Sequence, residues 1–80
     1  MAKTVRYSAD ALNALVRHRN RAVQIMAKIE RFAESGAGDI KPLAGSNAKR
    51  LRVGDFRVVF EESATEIVVS RIGPRGGVYD

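Results

Sequence analysis

The stretch KRLRVGDFRVVFEE, Lys49–Glu62, decides how this chain is read. Gly54-Asp55 separates two runs rich in Val, Leu and Phe, the signature of a hairpin closed by a two-residue turn. Such a turn pairs Val53 with Phe56 and sets Arg52 directly opposite Arg57. Side-chain alternation then gives the hairpin two unlike faces. Leu51, Val53, Phe56, Val58 and Phe60 form an apolar one. Arg50, Arg52, Arg57 and Val59 form the other. Like charges facing each other across a strand pair are destabilising. Two readings account for them: both guanidinium groups reach into water, or an anion sits between them.

Working outward, Glu66 to Ile72 is another Val- and Ile-rich run, set off by the polar stretch EESAT. A turn at Ser63-Ala64 would pair Ser70 with Arg57. On the N-terminal side, SGAGDIKPLAGSN is dense in Gly, Ser and Asn and reads as a loop. Before it, Ala22, Ile25, Met26, Ile29, Phe32 and Ala33 form an i, i+3, i+4, i+7 stripe, the strongest helical signal in the chain. Asn20 is a candidate cap for this helix and Gly36 ends it. Ala9, Leu12, Leu15 and Val16 mark a shorter helix from Ala9 to about Arg17, with Ser8 as N-cap and Asp10 in the first turn. Thr4 to Tyr7, TVRY, is a short strand. The order is βααβββ, an α+β fold with a helical hairpin on one face of a small, largely antiparallel sheet. The helices claim the apolar face, which leaves the arginine face, Arg57 included, open to solvent.

Eighty residues make one domain, residues 1–80, with no repeat and no interdomain linker. There is no cysteine, which excludes disulfides, thiolate metal sites and cysteine nucleophiles. The start, MAKTVRYSAD, is not a signal peptide, and no apolar run approaches a membrane span. The expected location is the cytoplasm, with no membrane partner. The formal net charge is +5, and arginine supplies ten of the fourteen basic residues. Arginine's planar fork suits phosphate and carboxylate, so the partners implied are a nucleic acid or an acidic protein.

The sequence offers no metal site and implies no cofactor. It holds one histidine, His18, at the helical joint, where it reads as a solvated helix-end residue rather than a partner for a nucleophilic serine. Lys3, Arg17, Arg19 and Arg21 read as ordinary solvated charges. Arginine and Tyr79 remain. Arginines hold a phosphodiester and neutralise charge developing on it, but they are poor general bases. A tyrosine exchanges a proton if its pKa is moved. The set fits RNA cleavage through the substrate's own 2′-hydroxyl, and it fits plain nucleic-acid binding equally well.

The segments DIKPLAGSNAKRLRVGDFRVVFEE and EIVVSRIGPRGGVY, after two helices, resemble the RelE branch of the RelE/ParE toxin superfamily of bacterial toxin–antitoxin systems. The resemblance spans the chain. It implies an endoribonuclease that cuts mRNA on the translating ribosome and is inhibited by a bound antitoxin. Carried over by position, Arg57 is the contact to the scissile phosphate, Arg75 stabilises developing charge, and Tyr79 stacks on or orients the RNA. Arg50 and Arg52 are RNA-binding, with Arg50 where well-studied members have lysine. The sequence departs from the pattern at Ala48, where a second lysine is usual, and at Pro74, where many relatives have histidine. Lys49 is out of phase, on the core-facing side. The sequence therefore lacks the best candidate for the general base of such members, and what is expected is weak or lost catalysis, or a base elsewhere in the chain. The ParE branch, which poisons DNA gyrase and usually lacks the nuclease residues, is the alternative.

Overall fold

A computed structural model describes residues 2–74; Arg75 and Tyr79 lie outside the described residues. The elements are β1 (Thr4–Tyr7), α1 (Ala9–Arg17), α2 (Arg19–Ser35), β2 (Asp39–Pro42), β3 (Lys49–Val53), β4 (Phe56–Glu62) and β5 (Glu66–Pro74). The sheet order is β1-β5-β4-β3-β2. β1 runs parallel to β5 and every other pairing is antiparallel. This is the expected α+β architecture, with one strand more than the sequence suggests.

That strand is β2, which the sequence presents as part of a loop. The preceding glycines and its own Pro42 hide a four-residue edge strand in which Ile40 lies opposite Leu51. Pro42 is tolerated because an edge strand has an unpaired side. The chain enters β2 through Gly38, at φ +154°, and a β-carbon there would stand 2.9 Å from the Leu51 side chain. Only glycine permits so close an approach.

The helices form where the sequence places them. The Ser8 hydroxyl accepts a hydrogen bond from the Ala11 amide (3.0 Å) and so caps α1. Asn20 does not cap α2. The helix starts earlier, at Arg19, directly after a one-residue joint at His18, and no side chain caps it. The backbone suffices here, because the Arg21 amide donates to the His18 carbonyl at 2.8 Å. His18 is half-buried rather than solvated, and its ring meets Phe56 edge-on at 5.0 Å. Gly36, at φ +75°, ends α2 in the left-handed conformation.

The core lies between the helices and one sheet face. Ala11, Ala14 and Leu15 from α1 and Ile25, Ile29, Phe32 and Ala33 from α2 meet Leu51, Val53, Phe56, Val58, Phe60, Ile67, Val69 and Ile72. Leu12, Val16, Val23 and Met26 remain exposed on the outer side of the helical hairpin. A core this small cannot cover both sides of two helices. Lys3, expected to be a free charge, is instead half-buried and donates to Glu62, which also accepts from Lys49 at 3.0 Å. These charges tie the chain start to β3 and β4. Lys49 does sit in the core-facing phase, opposite Phe60.

Candidate nucleic-acid interface

The first hairpin keeps the register read from its turn, with Val53 opposite Phe56 and Arg52 opposite Arg57. Gly54 has φ +58° and Asp55 does not have positive φ, the pattern of a type II′ turn. The sheet face turned away from the helices therefore carries the arginines, arranged in rows across the strands. One row runs Lys41, Arg50, Val59 and Arg71, from β2 to β5. The next runs Asp39, Arg52, Arg57 and Gly73. Glu61 and Glu66 lie toward β1 on the same face, and Glu66 pairs with exposed Arg6 at 3.5 Å. Cations thus gather toward the Gly54-Asp55 turn, with Asp39 among them, while Glu61 and Glu66 flank the connection between β4 and β5.

Arg57 is not exposed. Its relative accessibility is 4%, and Val59 on the same face is at 5%. Alternation gives the face on which a side chain lies, not its cover: β4 is the middle strand of five, with β2 beyond β3 and β1 beyond β5. One of its terminal nitrogens donates to the Phe56 carbonyl at 3.3 Å, and this is not its only interaction. A buried guanidinium is costly unless bonded, so Arg57 is held in place rather than free to sweep through solvent. Arg52 is exposed and Arg50 half-buried. The Arg50 Nε is buried with no hydrogen-bond partner from the described residues.

The second hairpin departs from the reading based on a Ser63-Ala64 turn. The connection is residues 63–65, Glu62 lies opposite Ile67, and the register shifts between Val59 and Phe60. Arg57 consequently faces Gly73, not Ser70, and Arg71 joins the arginine face opposite Val59. The sequence does carry a signal for this. Val69 and Ile72 are both core-sized apolar residues, three apart in one strand, which strict alternation cannot bury together.

Of the residues singled out in the sequence, Arg50, Arg52 and Arg57 share this face. Ala48 is half-buried beside the start of β3, and Pro74 is opposite Phe56. Among the described residues no group of three His, Cys, Asp or Glu side chains comes together, and no helix is long and apolar enough to cross a membrane. An array of guanidinium groups, with Arg57 held in place and apolar Val59 among them, suits an extended polyanion. Each phosphate receives charge and two-pronged hydrogen bonds, and charge that develops on it is stabilised without rearrangement.

The sequence matches no protein-family profile and no curated protein. Solved structures do match. The E. coli DinJ-YafQ complex superposes with a TM-score of 0.79 at 11% identity, over 98% of this chain and 99% of the other. The RelB-RelE antitoxin-toxin complex of Methanococcus jannaschii gives 0.65 at 24% identity, over 86% and 88%. The YoeB dimer of Staphylococcus aureus gives 0.73 at 13%, over 89% and 94%. At such identities the likeness is one of backbone architecture, and the chain has the fold of the RelE, YafQ and YoeB toxins.

Proposed function

We propose that this protein is the toxin of a type II toxin–antitoxin pair and that it cleaves mRNA on the ribosome in the cytoplasm. The observation that carries the reading is the arrangement of Arg50, Arg52 and Arg57 on the sheet face opposite the helices, with like charges directly opposed across β3 and β4. The resemblance of the sequence to the RelE branch and the shared fold support the same reading. The nucleophile is the substrate's own 2′-hydroxyl. Its oxygen bonds to phosphorus, the bond from phosphorus to the 5′-oxygen breaks, and a 2′,3′-cyclic phosphate and a 5′-hydroxyl result. No metal ion is required for this step. Arg57 holds the scissile phosphate, and its fixed guanidinium stabilises the charge that grows there. Arg50 and Arg52 bind the flanking backbone. Arg75 adds charge to the developing phosphorane, and Tyr79 orients the base.

The cognate antitoxin is the second partner. A chain of net charge +5 with a basic sheet face suits an acidic segment that folds over that face. The exposed Leu12, Val16 and Met26 suit the apolar side of an antitoxin helix.

A gyrase-directed reading is favoured by Ala48, Arg50 and Pro74, which replace the proton-transfer groups of the nuclease pattern. Pulse labelling after induction separates the two. Early failure of protein synthesis with codon-positioned cuts in mRNA is the expected result. Early failure of DNA synthesis with intact transcripts overturns the nuclease reading.

A further inference from the structure

β5 does not alternate evenly. Ile67 and Val69 point to the core, Val68 points away, and then Ile72 is in the core again at 5% accessibility. An uninterrupted strand would turn Arg71 into the core and Ile72 out to solvent. The irregularity between Val59 and Phe60 prevents this: Phe60 faces Val69, but Val59 faces Arg71, so Ser70 is the additional residue of a β-bulge. The bulge is held at both ends of Ser70. Its hydroxyl donates to the Val59 carbonyl at 3.1 Å, and its carbonyl accepts from the Ser8 hydroxyl at 2.7 Å. Ser8 is also the cap of α1, so the helix start fixes the irregularity in β5.

What the bulge delivers is an exposed arginine on the working face. Arg71 stands opposite Val59, with Arg50 on the far side of the same valine. The two backbones are two strand spacings apart, about 9–10 Å, and two arginine side chains readily converge over that gap. Arg71 makes no ion pair among the described residues, and the Arg50 Nε lacks a partner among them. Both observations leave room for a shared anion above Val59.

We infer that Arg71 is a substrate-binding residue that holds a backbone phosphate of single-stranded RNA together with Arg50, and that the bulge at Ser70 aims it there. The inference rests on the reading that this face binds RNA. A fluorescently labelled single-stranded oligoribonucleotide, titrated over a salt series, tests it. Losing one phosphate contact makes the slope of log affinity against log salt shallower by about 0.7 for a single strand. Arg71→Ala is expected to show that change and several-fold weaker binding at low salt, and Arg71→Lys to recover the slope. Deleting Ser70 straightens β5, and a folded product is expected to bind like Arg71→Ala; if it does not fold, the two Arg71 variants decide. An unchanged slope in Arg71→Ala overturns the inference while the RNA-binding reading stands. If the parent protein binds no oligoribonucleotide at low salt, both fall. If Arg71→Ala loses affinity only for a poly-glutamate peptide of matched charge, Arg71 serves an acidic partner protein and the inference is overturned.

Discussion

Arg52 and Arg57 face each other across β3 and β4, yet Arg52 is exposed and Arg57 is 4% accessible. The pair is therefore not two equivalent surface cations. Arg57 is a built-in charge with bonded surroundings, and Arg52 is the solvent-exposed one beside it. The two like charges repel each other, and a phosphate of the proposed RNA substrate bridging them would relieve this.

This difference sets opposite expectations for two alanine substitutions. Arg57→Ala is not neutral for the fold, because it strips a buried residue from the middle strand and the Phe56 carbonyl loses a donor. A loss of about 1–3 kcal/mol is expected, together with loss of toxicity. Arg52→Ala, on the surface, is expected to stay within about 0.5 kcal/mol while weakening RNA binding. Urea denaturation of both variants checks this. Equal stabilities would show that burial of Arg57 contributes nothing.

Glu62 gives the fold an acid-sensitive tie. The hydrogen bond from Lys3 holds its carboxyl below the usual range against a smaller opposing effect of burial, and Lys49 adds to the lowering. A carboxylate with a depressed folded pKa contributes stability that is complete above its unfolded value, about 4.3, and is lost as pH falls through the folded value. Urea midpoints taken from pH 6 down to pH 3 should therefore fall less steeply in Glu62→Gln than in the parent. Parallel curves would mean that the Lys3 and Lys49 contacts are not coupled to folding.

Much of the fold was legible because single residues carry strong local signals. The stripe from Ala22 to Ala33 and the glycine at 36 specify α2, and Gly54-Asp55 fixes the register of the first hairpin. The features that were not legible depend on tertiary context. β2 is four residues long, Asp39–Pro42, directly after Gly38, and it exists because Ile40 has Leu51 to lie against. The burial of Arg57 depends on its surroundings in the folded sheet, which side-chain alternation does not give. Arg71 was hidden by the assumption of even alternation through Ser70, although Val69 and Ile72 already conflicted with it. The proposed roles of Arg75 and Tyr79 fall on positions outside the described residues.

Ser8 joins two functions, so its loss should exceed that of an ordinary cap. Its hydroxyl caps α1 and also donates to Ser70 at the bulge. Capping alone is worth about 1 kcal/mol. Ser8→Ala is expected to cost more than that and to shift the amide resonances of Val59, Ser70 and Arg71, which lie far along the chain from residue 8. Resonance changes confined to the first turn of α1 would show that the bulge stands without Ser8.

Tyr7 makes the opposite case, a polar atom whose removal should be harmless. Its hydroxyl is buried with no hydrogen-bond partner from the described residues. Burial, and to a lesser extent the Glu30 carboxylate, push its pKa up, so the phenol stays neutral in the folded protein. Tyr7→Phe keeps the ring against the core and removes the uncompensated hydroxyl. The expected result is stability unchanged or raised by about 1 kcal/mol. A loss larger than that would reveal a bond to the hydroxyl that the native protein depends on.

The partner provides the remaining test. A basic sheet face repels itself when empty, and the proposed acidic antitoxin segment would relieve this. Exposed charge pairs are screened by salt, whereas apolar contacts are not. The protein offers both kinds of surface: the arginine rows on the sheet, and Leu12, Val16 and Met26 on the outer side of the helices. Calorimetric titration with the cognate antitoxin should therefore show affinity that falls as salt rises and then levels off at a residual value. Leu12→Ser should lower that residual and leave the salt-dependent part intact, while Arg52→Ala should do the reverse. Affinity that is indifferent to salt would remove the electrostatic contribution. Affinity that vanishes at high salt would show that the helical hairpin takes no part in holding the antitoxin.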